Sequence, residues 1–363
     1  MKFIPQIRPT YGAEERKAVC DYLKSPDSWL TEYTYTKAFE EMICKFTGAK
    51  YCSIVSNGTV SLFAILKALN IGPGDEVIVP DLTMSATSNV VVLAGAKIIF
   101  VDVDKESLCL DVEKTAKAIT SKTKAVMHVS LNGRAGDLLK LKKLCQKKKI
   151  YLIEDSAQSL GSFYQGKHLG RYGIAGSFSF SMAKIVTSGQ GAAIITDNAK
   201  LLKEIKYVRD FGRRKKGEDF WVKMGWNFKY TDLLAVFGIE QMKKIKKHAQ
   251  IKKKIFKSYQ RLLAAVPEVK FIKTDFNEVT PWVVDAFVPR RDELMAFLKE
   301  NGVGTRPSYP ALHSQPAYRF RGNFPVTEYA AKNLIWLPSF ISLTEEQISY
   351  ICQKIKDFYV VRK

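Results

Sequence analysis

Cysteine and histidine are scarce in this chain, and neither is clustered. The six cysteines, Cys20, Cys44, Cys52, Cys109, Cys145 and Cys352, form no Cys-x-x-Cys pair and have no local partner among the four histidines. That spacing excludes a disulfide framework and a zinc site, so no metal is expected. Long hydrophobic runs are also missing. The richest, Val90 to Val101, is broken by Gly95 and Lys97 and is too short to span a bilayer. Met1 to Pro9 offers only Phe3-Ile4 before Pro5, which is no apolar core for a signal peptide, and a reduced cytoplasm is the expected compartment. Low-complexity tracts and internal repeats are absent. What remains is 363 residues with 46% hydrophobic and 12% aromatic content, which excludes disorder and suits two globular domains.

Acidic residues are in deficit, 36 against 57 basic, for a formal charge of +21. Eight lysines fall between Met242 and Lys257, and more run through Lys140, Lys142, Lys143 and Lys147 to Lys149. Apolar residues recur among them at helical spacing (Met242, Ile245, Ala249, Phe256), so these lysines are expected on the solvated faces of amphipathic helices. No nucleic-acid motif and no interleaved aromatics accompany them, and the excess charge serves better to attract an anionic small substrate.

Between about Thr47 and Thr196, β-branched runs alternate with segments of helical length. Tyr51–Val55, Glu76–Val79, Ile98–Val103, Ala125–Val129, Ile150–Ile153, Ala175–Phe180 and Ala192–Thr196 read as buried strands. Thr59–Asn70, Ser85–Leu93, Asp111–Thr120 and Asp137–Lys148 read as helices. This order predicts an α/β fold with a doubly wound, mainly parallel sheet. Beyond Asp197 come long basic helices, strand-like runs in Val269–Val288, a helix over Arg290–Asn301, a proline-rich loop from Pro307 to Pro316 and a last helix after Thr344. A large domain over 1–244 and a smaller α+β domain over 245–363 are expected, with Met242–Leu263 as one connecting helix.

Ligands of open α/β sheets collect where strands end, so polar residues there are the candidates. Ser56-Asn57-Gly58-Thr59 follows a strand and opens a helix, which suits a phosphate cradle or, equally, ordinary N-capping. Glu154-Asp155-Ser156-Ala157-Gln158 puts a carboxylate at a strand end, where it can hold a cationic ligand group or cap a helix. In the third, Lys184 is expected to end a strand rich in small and aromatic residues (from Gly176), just before the turn Thr187-Ser188-Gly189-Gln190-Gly191. A lysine in such a partly buried place can lose its proton and form a Schiff base with a carbonyl. A phosphate cradle, an acid and a carbonyl-reactive amine are the groups that pyridoxal phosphate requires.

With these motifs in place, the sequence resembles the DegT/DnrJ/StrS family of pyridoxal-phosphate sugar-nucleotide aminotransferases. The resemblance runs from Arg8-Pro9 and Trp29-Leu30-Thr31 through Asn57-Gly58-Thr59, Gly72-Pro73-Gly74-Asp75 and Glu154 to Gln158, to Phe178-Ser179-Phe180 with Lys184. It continues through Arg209-Asp210-Phe211-Gly212, Gly225 to Asp232, Leu312 to Tyr318 and Leu337-Pro338. It implies the aspartate-aminotransferase fold (fold type I), with a mainly parallel seven-stranded sheet and a smaller C-terminal domain. It also implies roles. Lys184 is the Schiff-base lysine and proton shuttle, Asp155 the partner of the pyridine nitrogen, and Gln158 the contact of the ring hydroxyl. Asn57, Gly58, Thr59 and Ser179 surround the phosphate, and Asn227 is given to the phosphate by the other subunit of a homodimer. Met84 stands where an aromatic ring commonly covers the cofactor, and Gln190, Ser181 and Lys229 replace a common glutamate, histidine or aromatic, and arginine.

The resemblance further implies that L-glutamate is the amino donor and a keto-sugar nucleotide the acceptor. Arg306-Pro307-Ser308-Tyr309 with Leu312-His313 looks like members acting on a 4-keto-6-deoxy sugar, with Tyr309 and His313 near the substrate. The product would be a 4-amino-4,6-dideoxyhexose nucleotide for a surface glycan such as an O-antigen. Lys184 disfavours the dehydratase branch, which carries histidine there. The alternatives are amination of a 3-keto sugar and, in another class, a non-catalytic regulator that uses the basic surface on nucleic acid. Neither nucleic acid nor membrane is the expected partner.

Overall fold

A computed structural model describes residues 3–215 and 217–361. The chain opens with α1 (Ala13–Lys24) and α2 (Thr34–Thr47), then alternates β1 (Tyr51–Val55), α3 (Gly58–Ala68), β2 (Glu76–Pro80), α4 (Ser85–Leu93), β3 (Lys97–Val101), α5 (Val112–Ala118), β4 (Thr123–Val129), α6 (Leu138–Lys148) and β5 (Tyr151–Asp155). A short hairpin, β6 (Phe163–Tyr164) and β7 (Lys167–His168), precedes β8 (Ala175–Ser179), β9 (Ala192–Thr196), α7 (Ala199–Arg209), α8 (Asp232–Lys243) and α9 (Ile245–Leu262).

The large sheet has the order β1-β9-β8-β5-β4-β2-β3. Strands β3, β2, β4, β5 and β8 are mutually parallel, while β9 runs antiparallel to both β8 and β1. Every residue of β2 and β9 is buried, as expected of strands covered on both faces. Each predicted strand is present, with ends shifted by up to two residues. The one that matters to the site is β8, which ends at Ser179. Lys184 therefore does not end a strand but sits in the turn beyond it, where its N–H donates to Ser181 O at 3.0 Å.

A second sheet, β10 (Lys270–Phe271), β11 (Val284–Phe287), β13 (Leu334–Leu337) and β12 (Arg306–Pro307), packs with α10 (Arg291–Glu300), α11 (Pro325–Asn333) and α12 (Glu345–Val361). Its core unites Phe256 and Tyr259 of α9 with Leu294, Ile351 and Phe358, and Ile4 from the chain start joins it.

Two expectations about the basic helices change. Met242–Leu263 is not continuous. Lys244 (φ −99°, ψ −1°) donates its N–H to Gln241 O at 3.0 Å, tightening the last turn of α8 before α9 begins, while its ammonium reaches the buried Glu15. Nor do all the lysines of α9 lie on its solvated face. Lys252 is only 8% exposed, on the same side as Ile245, His248, Ile255 and Phe256. Among the described residues no helix is long and apolar enough to cross a membrane, and no group of histidine, cysteine and acidic side chains is arranged to hold a metal.

Candidate active site

The strand ends of the large sheet bring the three candidate motifs together. Ala192 of β9 faces Val55 on one side and Ser179 on the other, so the turn after β1 lies beside the end of β8. Asp155, the last residue of β5, faces Ser177 of β8. Gly58 opens α3 so close to Ser179 that a Cβ there would stand 3.4 Å from the serine Cβ. Asn57 does serve as the ordinary cap, its Oδ1 accepting Val60 N–H at 3.1 Å. The first-turn N–H groups of Gly58 and Thr59 point out of the helix end, where an anion is favoured.

Asp155 is buried, and its carboxylate accepts Thr87 Oγ1–H at 2.7 Å and Ala157 N–H at 3.1 Å. Burial raises its pKa, opposed by the Thr87 and Ala157 hydrogen bonds and by the charge of Lys184. Thr87 comes from the first turn of α4, which also places Met84, 48% exposed, at the helix entrance.

The Lys184 ammonium lies 3.9 Å above the centre of the Trp282 ring, and Trp282 is fixed by its Nε1–H donating to Ala183 O at 2.7 Å. Burial pushes the Lys184 amine down to about 8, against the attraction of Asp155 and with some help from Arg306. The turn carrying it is closed by Phe180 N–H to Gly191 O at 2.8 Å and Ser188 N–H to Phe180 O at 3.0 Å. Gly191 has φ +135°, and a Cβ there would meet the Tyr230 ring at 2.7 Å, so only glycine fits.

Gln158 is the middle of a buried relay. Its Oε1 accepts Asn132 N–H at 2.8 Å and its Nε2 donates to Tyr309 OH at 3.1 Å. Asn132 in turn donates Nδ2–H to Asp285 Oδ1 at 2.8 Å, and Asp285 pairs with Arg134 at 2.8 Å. Tyr309 packs edge-on against Trp336, over which the exposed Arg306 guanidinium lies at 5.4 Å.

His313 is placed by Asp81, the residue after β2. Its Nδ1 and Asp81 Oδ2 are 2.6 Å apart, its N–H donates to Asp81 Oδ1 at 2.6 Å, and its ring stacks on Phe324 at 4.5 Å. Nε2 lies 3.5 Å from Glu328. Asn227 is exposed, paired through the backbone with Asp210, and next to Phe228, whose carbonyl accepts Ser56 N–H at 3.0 Å.

The structure thus brings Gly58 beside Ser179, joins Gln158 to Tyr309, and holds Lys184 within the field of Asp155, while Met84 lies exposed at the entrance of α4. Sequence reasoning missed Thr87, Asn132, Asp285 and Trp282. Thr87, one turn after Met84, and Asn132, just past the end of β4, obey the strand-end rule and could have been found by it. Nothing local marks Trp282 or Asp285, which arrive from the segment entering β11 and from β11 itself.

Comparison with known proteins gives the arrangement its context. The profile of the DegT/DnrJ/EryC1/StrS aminotransferase family matches residues 9–356. A protein of Escherichia coli O157:H7 named GDP-perosamine synthase is 33% identical over 99% of both chains, and a Vibrio cholerae protein of the same name is 32% identical over 98% of this chain and 99% of its own. Among solved structures, the PLP form of Spr1654 from Streptococcus pneumoniae superimposes with a TM-score of 0.92 at 26% identity, covering 98% of both chains. The chain therefore belongs to the DegT/DnrJ/EryC1/StrS family and is a pyridoxal-phosphate-dependent aminotransferase.

Proposed function

We propose that this aminotransferase moves the amino group of L-glutamate to C4 of a 4-keto-6-deoxyhexose carried on a nucleotide, working as a homodimer with shared sites. The observation that carries the reading is that the half-buried Lys184 amine, in the turn after β8 and with its pKa lowered to about 8, lies within the field of the buried Asp155 carboxylate at the end of the neighbouring β5. The relatives named GDP-perosamine synthase support a sugar-nucleotide acceptor and make a GDP-linked 4-keto sugar the first to test.

The donor set fits the cofactor. Asp155, held by Thr87, would meet the ring nitrogen. Gln158 spends one Nε2–H on Tyr309 and keeps the second for the ring hydroxyl. Gly58, Thr59 and Ser179 would take the phosphate, with Asn227 of the other subunit. Met84 would cover the ring face with sulfur and methylenes. Bound pyridoxal phosphate supplies the electron sink that lets the C–H bond beside the transferred nitrogen break and reform. Lys184, neutral for part of the time at working pH, would carry that proton, because its half-buried amine is held in the field of Asp155. His313, its Nδ1 committed to Asp81, would offer a sugar hydroxyl its Nε2, whose neighbour in the structure is the exposed Glu328 at 3.5 Å. The exposed Trp29, Leu30, Phe220, Trp221 and Met224 provide apolar surface for the second copy. A division of the chain near Lys244 would place the crevice between a cofactor domain and a smaller one.

Two outcomes are expected from this placement. With the cofactor removed, the rate at which the protein recaptures pyridoxal phosphate should climb with pH around a midpoint near 8, since the neutral amine is the nucleophile. At pH 8 an ordinary lysine is only about 0.4% neutral, so a midpoint near 10 would mean that burial does not act on Lys184. His313→Ala should raise KM for the sugar nucleotide by about three- to tenfold, one hydrogen bond's worth, with the glutamate half-reaction unchanged. Equal effects on both halves would remove His313 from the sugar site.

The reading is tested by supplying ¹⁵N-labelled L-glutamate with GDP-4-keto-6-deoxymannose and locating the label by NMR. Label at C4 supports it; label at C3 of a 3-keto analogue, or none with either acceptor, contradicts it.

A further inference from the structure

Beside Lys184, on the side facing α9, lies a cavity of about 30 Å³ that no step above uses. Its wall includes Arg8, Thr10, Lys184, Lys252, Trp282 and Phe340. The space admits a carboxylate or two waters but not a hexose. The wall carries three basic side chains and, among the described residues, no carboxylate. Lys252 is a buried ammonium whose partner is the carbonyl of Ser339, which leaves two of its three N–H donors unused. Arg8 rests its guanidinium 5.2 Å from the Phe340 ring centre, and among the described residues it has no carboxylate within ion-pair distance. The nearby buried acid, Glu15, is already engaged by Lys244, by Gln241 at 2.7 Å and by the Gly12 N–H at 2.7 Å. Burial pushes the Lys252 amine down to about 7, as befits a cation held without an anion. Charge on Lys252 is therefore costly while the cavity holds no anion, and an anion entering beside Arg8 would draw a proton onto the amine and complete the set.

We infer that this cavity is the subsite for the side-chain carboxylate of the amino donor, with Lys252 and Arg8 gripping it while the donor's α-carbon lies at Lys184. The inference rests on the aminotransfer reading above and adds the residues that select a dicarboxylate. The alternative source of an anion, the diphosphate of the sugar nucleotide, is disfavoured by the size of the space.

The probe is glutarate, a dicarboxylate that cannot react, titrated calorimetrically into the cofactor-loaded wild type, Lys252→Met and Arg8→Gln. Arg8 is exposed, so its variant keeps the fold, and Lys252→Met keeps the buried stem. Glutarate binding should weaken by about tenfold or more in Lys252→Met and severalfold in Arg8→Gln. The glutamate half-reaction should lose kcat/KM to the same degree, and the slow half-reaction with L-alanine, which has no side-chain carboxylate, should be untouched. Unchanged glutarate affinity in both variants overturns the subsite even if wild-type transfer from glutamate is normal. A loss confined to sugar-nucleotide saturation overturns it in favour of the diphosphate. Glutarate binding lost in the variants while glutamate gives no product in wild type supports the subsite and overturns the donor.

Discussion

Lys184→Ala should fold normally and lose transamination by about 10⁴-fold or more, the scale of a positioned proton carrier that also holds the cofactor. The fold is insensitive because, among the described residues, Lys184 has no ion pair to break. Its ammonium lies over Trp282, and burial already disfavours its charge. The informative companion is Lys184→Arg, which keeps a cation above Trp282 but stays protonated at all working pH values. It should be as inactive as alanine, which separates proton transfer from electrostatic positioning. Release of 2-oxoglutarate in a single turnover measures the loss, and thermal melting controls for folding. Turnover by either variant within a hundredfold of wild type would dissolve the assignment.

Asp285→Ala should cost about 3–5 kcal/mol of folding stability, read from the denaturant midpoint, because it strands a buried cation. Arg134 and Asp285 pair at 2.8 Å with side chains 5% and 1% exposed, and Asp285 also accepts Asn132 Nδ2–H at 2.8 Å. The damage should travel. Asn132 donates its N–H to Gln158 and accepts Val283 N–H at 2.8 Å, so losing Asp285 loosens the link between the second sheet and the cofactor contact. Weaker retention of pyridoxal phosphate should accompany the lost stability. Replacing the pair together, Arg134→Met with Asp285→Leu, should restore most of the folding energy, since apolar residues of similar size commonly equal a buried pair. It should not restore retention, because Asn132 Nδ2 then keeps only Val283 O, at 3.1 Å, of its two acceptors. An Asp285→Ala cost below about 1 kcal/mol, the range of an exposed pair such as Lys17–Asp21, would contradict this account.

The parallel sheet was readable because strands buried on both faces need near-continuous apolar runs, and Glu76 to Pro80 is one. The reversal of β9 was not, since Ala192–Thr196 looks the same in either direction. Asp155 and Lys184 were found because local pattern places both at strand ends, although β8 stops at Ser179 and leaves Lys184 in the turn. Trp282 and Asp285 were invisible because they meet Lys184 and Asn132 from a segment about a hundred or more residues onward in the chain, at the start of β11. Lys252 was misread for a related reason. Helical spacing identifies which residues share a face, but α9 is covered on its lysine-bearing flank by Ser339 and Phe340, contacts that only the tertiary structure supplies.

The most direct test of the central claim is the visible absorption of the purified protein before and after L-glutamate, with 2-oxoglutarate quantified in the same cuvette. The account predicts a cofactor band that glutamate removes, with one equivalent of 2-oxoglutarate released per chain. A protein that stays colourless after addition of pyridoxal phosphate, or a band that glutamate leaves unchanged, would contradict it.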